Sequence, residues 1–200
     1  MAAGIVALAA AIASIATPPP NPIPLVIIRT ERGDIAVGLR IYEAPETVCN
    51  FLRYADAGAY DGGSFFRTVV AEMDDNPNPI DVIQAATPAG DNDPGTGAIA
   101  LERTRDTGLK HLAGVIAMAR DGPDTATSSF FIVVQDSPSL DYGGLRHPDG
   151  QGFAAFGSVA GGLDVVRAIQ ASPADDERID RPVRIISVKL MTEFPSRCRE

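Results

Sequence analysis

Short apolar runs separated by Gly, Pro, Asp and Asn clusters dominate this chain, and only two stretches carry apolar residues at helical spacing. Leu25 to Thr30 is short and β-branched, Glu31-Arg32-Gly33-Asp34 reads as a turn, and Ile35 to Ile41 resumes as a strand, which predicts a hairpin. Strand-like runs then recur at Ser64 to Val70, Asp81 to Ala85, Ala98 to Glu102, Val115 to Met118, Phe130 to Gln135, Phe153 to Val159 and Val183 to Leu190. Between Glu46 and Ala55 the period changes. Val48, Phe51, Leu52 and Ala55 share one helical face, Pro45 fits the first turn, and Gly58 is a stop. A second helix fits Leu163 to Ala171, with Leu163, Val166, Ala168 and Ile169 as its stripe. The pattern predicts a mainly β fold: a closed eight-stranded antiparallel barrel capped by two α-helices. Closure removes the exposed edges that a soluble sheet must otherwise protect.

The flanks read differently. Residues 1–16 form an apolar, alanine-rich run, and Ser14-Ile15-Ala16 is a small-x-small site before Thr17-Pro18-Pro19-Pro20. That is the layout of a signal peptide followed by a Pro-rich linker over 17–23, although the first residues carry no Lys or Arg. The run is shorter than the ~20 residues a membrane span needs. One domain over 24–192 and a polar tail over 193–200 complete the division, and the expected location is periplasmic or secreted. A net charge of −9 opposes binding to nucleic acid or anionic lipid. Cys49 falls in the helical pattern and Cys198 in the tail; a bridge between them is compatible with an oxidising compartment but is not implied by their spacing. Two histidines and two distant cysteines leave no zinc-site spacing, and no metal or cofactor is expected. The acidic groups Asp74-Asp75 and Asp91-Asn92-Asp93 lack calcium-loop spacing and read as solvated loops.

The stretch Met118 to Val134 joins an apolar strand, a Gly-Pro turn, a Ser/Thr-rich loop and a second strand centred on Phe130-Phe131. It closely resembles the central signature of the cyclophilin family of peptidyl-prolyl cis/trans isomerases. Other pieces follow in family order from Ile28 to Leu190: Pro45-Glu46-Thr47-Val48-Cys49-Asn50-Phe51, Ser64-Phe65-Phe66-Arg67, Val82-Ile83-Gln84, Lys110 to Ala119, Leu140-Asp141 and Phe153 to Gly157. Departures are also visible. Roughly nine extra residues separate Arg67 from Gln84, and a second insertion spans Tyr142 to Gly152. Asp81 and Val82 replace the family's proline-pocket aromatic and methionine. Ser129, Ser139, Phe153 and Arg120 stand where the family commonly has glutamine, tryptophan, histidine and asparagine.

The resemblance implies a reaction without bond breaking. Rotation about an X-Pro bond faces a barrier of about 18–20 kcal/mol and takes tens to hundreds of seconds. Shortening ~100 s to ~1 ms requires about 7 kcal/mol. As the C–N bond twists, the proline nitrogen gains a lone pair, so a donor aimed there binds the twisted state better than either planar one. By the resemblance Arg67 is that donor, with five N–H groups in a fixed fork. Gln84 orients it or holds substrate, and Val82, Phe131, Leu140 and Phe153 form an apolar seat. Phe66, Ser129 and the backbone at Ala119 and Arg120 complete the substrate-binding set. Its partners would be proline-containing polypeptides, met by a monomer. The altered pocket leaves a second reading open, a weakly active or inactive peptide-binding module or chaperone, and a scaffold built on the Tyr142 to Gly152 insertion is a third.

Overall fold

A computed structural model of the chain describes residues 23–90 and 95–199. The regular elements are β1 (Leu25–Thr30), β2 (Gly33–Leu39), α1 (Pro45–Asp56), β3 (Ser64–Val69), β4 (Val82–Ala86), α2 (Thr104–Thr107), β5 (Val115–Met118), β6 (Phe130–Val133), β7 (Ala155–Gly161), α3 (Leu163–Gln170), β8 (Ala174–Asp175) and β9 (Arg178–Leu190). The sheet runs β1-β2-β7-β5-β6-β4-β3-β9, and β9 pairs back onto β1 from Val26↔Leu190 to Thr30↔Ile185. All pairings are antiparallel, so the eight strands close into the expected barrel. The two-residue β8 hangs from β9 as a hairpin.

Inward positions pack the barrel: Val26 and Ile28, Ile35 and Val37, Phe65, Ile83, Ile116, Phe130, Phe156, Val183 and Ile185 are all fully buried. Helix α1 covers one end. Its Phe51 ring lies 5.3 Å from Tyr60, 5.5 Å from Phe130 and 5.2 Å from Phe156. The first turn of a helix has backbone N–H groups without intrahelical partners. Here the Glu102 carboxylate accepts from Glu46 N, Thr47 N and the Thr47 hydroxyl, which also places an anion at the positive end of the helix dipole.

Four features depart from the sequence reading. Ala98 to Glu102 is not a strand: Ile99 makes one bridge to Ala126, and Leu101 N donates to the Asp124 carboxylate, so the segment is tied to a loop instead of the sheet. A third helix, the single turn α2, is stopped by Gly108 at φ 74°. The last strand begins at Arg178, five residues before the apolar run suggested, because Arg178 and Ile179 pair with β8 ahead of the polar stretch Asp180-Arg181. The polar tail is attached: Cys198 is buried and disulfide-bonded to Cys49 of α1. The signal-like run 1–16, most of the linker, and Asp91-Asn92-Asp93 lie outside the described residues. No helix among the described residues is long and apolar enough to cross a membrane.

Candidate active site

Strands β4 and β6 are buried on both faces, which explains runs such as Phe130-Phe131-Ile132-Val133 without alternation. Ile83, Phe130 and Ile132 face the barrel. Val82, Phe131 and Val133 instead join Val69, Ile80, Ala117 and Leu140 in a second apolar cluster outside it. Four members of that cluster, Ile80, Val82, Phe131 and Leu140, line a groove of about 440 Å³, a size suited to a few residues of extended peptide.

Strand register assembles the site. Arg67 pairs with Gln84, Gln84 with Phe131, and Phe131 with Ala117, so four neighbouring strands place these residues in one row. Directly opposed side chains in antiparallel pairs have Cβ atoms about 4.5–5.5 Å apart. Residues two apart on a regular strand share a face, which would send Arg67 into the core with Phe65. A bulge prevents this: Phe65 pairs with Ala85 while Arg67 pairs with the adjacent Gln84, leaving Phe66 as the extra residue. Phe65 therefore stays fully buried and Arg67 turns outward into the groove.

The Arg67 guanidinium is about one-third exposed and held from two sides. Nη1 donates to Gln84 Oε1 at 2.8 Å, and Nε and Nη2 both donate to Glu177 Oε2 at 2.8 and 2.5 Å. Phe131 meets Phe153 edge-on at 5.5 Å and is stacked from behind by His111 at 6.1 Å. The buried His111 ring sets Nδ1 2.9 Å from Asp141 Oδ1, and the His111 backbone N–H donates to the same oxygen at 3.2 Å. Burial opposes ionisation of Asp141, but the hydrogen bonds and charge of His111, with Lys110 nearby, outweigh it and hold the carboxyl below its ordinary range.

Both insertions are built into the groove wall, and they lock onto each other. Arg146 pairs with Asp74, Asn78 Nδ2 donates to Leu145 O at 3.1 Å, and Arg146 itself lines the groove. Asp74 is thus a buried ion-pair partner, contrary to the solvated loop expected of it, because Asn76 N and Ile80 N also donate to its carboxylate. Arg120 braces the second insertion. Its guanidinium is buried, donates to both oxygens of Asp149 at 2.7 and 2.9 Å and to Gly152 O at 2.8 Å, and lies 4.9 Å over the Phe153 ring. The Arg120 hydrogen bond, set against some desolvation, drives the Asp149 carboxyl far below its ordinary range. His147 also belongs to this knot, half-buried with Nε2 3.1 Å from Asp121 O, where a solvated side chain was expected.

A family model described as cyclophilin type peptidyl-prolyl cis-trans isomerase matches residues 25–190. The chain belongs to this family. It is 34% identical over 170 residues to peptidyl-prolyl cis-trans isomerase cyp18 of Streptomyces antibioticus, covering 82% of this chain and 96% of that one. It is 34% identical over 151 residues to isomerase B of Escherichia coli, covering 73% and 84% respectively. In fold it is similar to a Cryptosporidium parvum cyclophilin type isomerase, with a TM-score of 0.68 at 22% identity over 86% of this chain and 99% of that one.

Of the residues singled out from sequence, Arg67, Val82, Gln84, Ala119, Arg120, Ser129, Phe131, Leu140 and Phe153 all line this groove. Phe66 does not, since the bulge gives it neither face of the regular strand. Asp81, read from sequence as standing in place of the family's pocket aromatic, does not line the groove either. Its carboxylate accepts from Ala71 N at 3.2 Å and Gln170 Nε2 at 2.9 Å, while the preceding Ile80 lines the groove. An apolar side chain therefore sits where an acid was expected. Sequence reasoning missed Ile80, Asp121, Thr125, Thr127 and Arg146 in the lining, and Glu177 behind Arg67. An acidic first insertion and a single Arg in the second were the only local signal for Asp74 and Arg146; Glu177 lies 110 residues from Arg67 and had none.

Proposed function

We propose that this chain carries out its family's reaction, rotation about X-Pro peptide bonds, with Arg67 as the donor to the twisted amide nitrogen and the Ile80, Val82, Phe131, Leu140 and Phe153 surface as the proline seat. The observation that carries this reading is the row Arg67–Gln84–Phe131. It places a permanently charged fork at the rim of an apolar hollow. Three of the five guanidinium N–H groups are engaged by Gln84 and Glu177, leaving two for substrate. Preorganised donors of this kind cost no reorganisation when the lone pair develops, and losing one typically costs about 10²–10³ in rate. An apolar Ile80 in place of the expected acid favours turnover over mere peptide binding, since the seat remains greasy.

The clients we infer are proline-containing polypeptides outside the cytoplasm, served by a monomer. Support comes from the signal-like composition of residues 1–16 and from the Cys49–Cys198 bond, a linkage that persists in oxidising compartments. In a protease-coupled assay on an Ala-Pro peptide, Arg67→Ala is expected to lower kcat/KM by about 10²–10³. Equal rates for variant and wild type would remove Arg67 from the mechanism. N-terminal sequencing of the exported protein tests the location, and a chain retained in the cytoplasm would contradict it.

A further inference from the structure

We infer that Glu177 is a positioning residue for the isomerase reaction: it holds the Arg67 guanidinium by one edge so that the opposite edge meets the proline nitrogen. This rests on the role given above to Arg67. Two observations carry it. A single carboxylate oxygen of Glu177 accepts from both Nε and Nη2, a grip that restricts rotation of a long side chain which Gln84 alone touches at only one nitrogen. The second is the backbone beneath it. Asp176 and Glu177 form the two-residue tip of the β8–β9 hairpin with φ of 46° and 65°. Such tips favour Asn-Gly, because both central residues must adopt a left-handed conformation that disfavours most side chains. Glu177 occupies the position where glycine would relax the turn. Strain of this kind, kept where an easier residue exists, is concentrated at functional sites.

The hairpin is tied to β3 at the same place, since Thr68 N donates to Glu177 O at 2.8 Å and Arg67 pairs with Arg178. The side chain is therefore delivered to Arg67 by fixed backbone, from the β9 side of β3, opposite to the β4 and β6 side that carries Gln84 and Phe131. Arg67 needs that support: it emerges from a bulge and is one-third exposed, so without a brace its several rotamers would compete.

The test pairs activity with melting on the full chain. Glu177→Gly relaxes the turn and removes the grip. A purely structural residue would show parallel changes in stability and activity, whereas a positioning residue separates them. The expected result is an unchanged or raised Tm with kcat lowered between about tenfold and a hundredfold and KM nearly constant. Glu177→Gln, whose amide oxygen can accept the same two bonds, is expected to restore most of kcat. Glycine-variant turnover equal to or above wild type, while Arg67→Ala is impaired, would overturn the role of Glu177 and leave that of Arg67 intact. An unimpaired Arg67→Ala would instead overturn the reading beneath it. A fall in Tm matching the loss of activity in both Glu177 variants would mark Glu177 as structural only.

Discussion

The Cys49–Cys198 bond offers the cleanest quantitative test of the fold. It closes a loop with a sequence separation of 149 and joins the buried tail residue Cys198 to the inner part of α1. In the chain-entropy account, a cross-link across so long a loop removes about 5 kcal/mol of freedom from the unfolded chain. Against a typical total of about 5–15 kcal/mol, that is a large share. Cys198→Ser, with Cys49 left as a buried thiol, is therefore expected to lower the unfolding free energy by about 3–5 kcal/mol. Urea unfolding measures it, and the slope with denaturant should rise because the uncross-linked chain exposes more surface. Neither cysteine lines the groove, so kcat/KM of the folded variant should stay within a factor of about two. A midpoint identical to wild type would show that the tail contributes nothing to the barrel. A large loss of turnover at temperatures where the variant is folded would show that α1 and the groove are coupled.

Two further outcomes follow from the groove wall. Because the fold depresses the pKa of Asp149, its bond to Arg120 stabilises fully above about pH 3.9, where the unfolded carboxylate is also ionised, and fades as pH falls through the lowered folded value. Asp149→Asn should accordingly cost about 1.5–3 kcal/mol at pH 6, with the gap to wild type narrowing below pH ~4 in urea unfolding; a gap that widened on acidification would refute the sign. Asp74→Ala strips Arg146 of its partner and is expected to raise KM severalfold, with hydrogen exchange accelerated in 71–80 and 142–152, while kcat holds because Asp74 does not touch the groove. An unchanged KM would mean that the insertions do not shape the seat.

The barrel was legible because its strands and helix carry local signals: β-branched runs, a Pro at the start of α1, and turns rich in Gly and Asp. The second face of β4 and β6 was legible only through the family resemblance, because a continuous apolar run does not say which of its faces is core and which is groove. What escaped depends on pairing between distant segments. The bulge at Phe66 exists only relative to Ala85 and Gln84, and it decides whether Arg67 enters the core or the site. Asp81 escaped for a similar reason. Nothing in Pro79-Ile80-Asp81-Val82 reveals that Gln170 and Ala71 N will claim the carboxylate and turn Ile80 toward substrate. The disulfide needed proximity that no spacing rule supplies, and Glu177 reaches Arg67 only through the hairpin on β9.

The irregular stretch between Leu140 and Phe153 poses a problem that the charge pairs solve. It must present both of those side chains to the groove, yet beyond the single turn at Pro138–Leu140 it has no ladder or helix to hold it. Asp141, Arg146 and Asp149 each meet a partner on a different part of the molecule: His111 ahead of β5, Asp74 in the insertion after β3, and Arg120 just past β5. Pairs as buried as these gain little net stability, since desolvation cancels most of the attraction. They do make any other placement of the loop costly, because a displaced loop would leave Arg120 or Asp74 buried without its counter-charge. The three pairs therefore act on geometry more than on total stability. In the mechanism proposed above that matters, because its advantage is the fit of a rigid seat and one aimed donor to an amide caught between planar states.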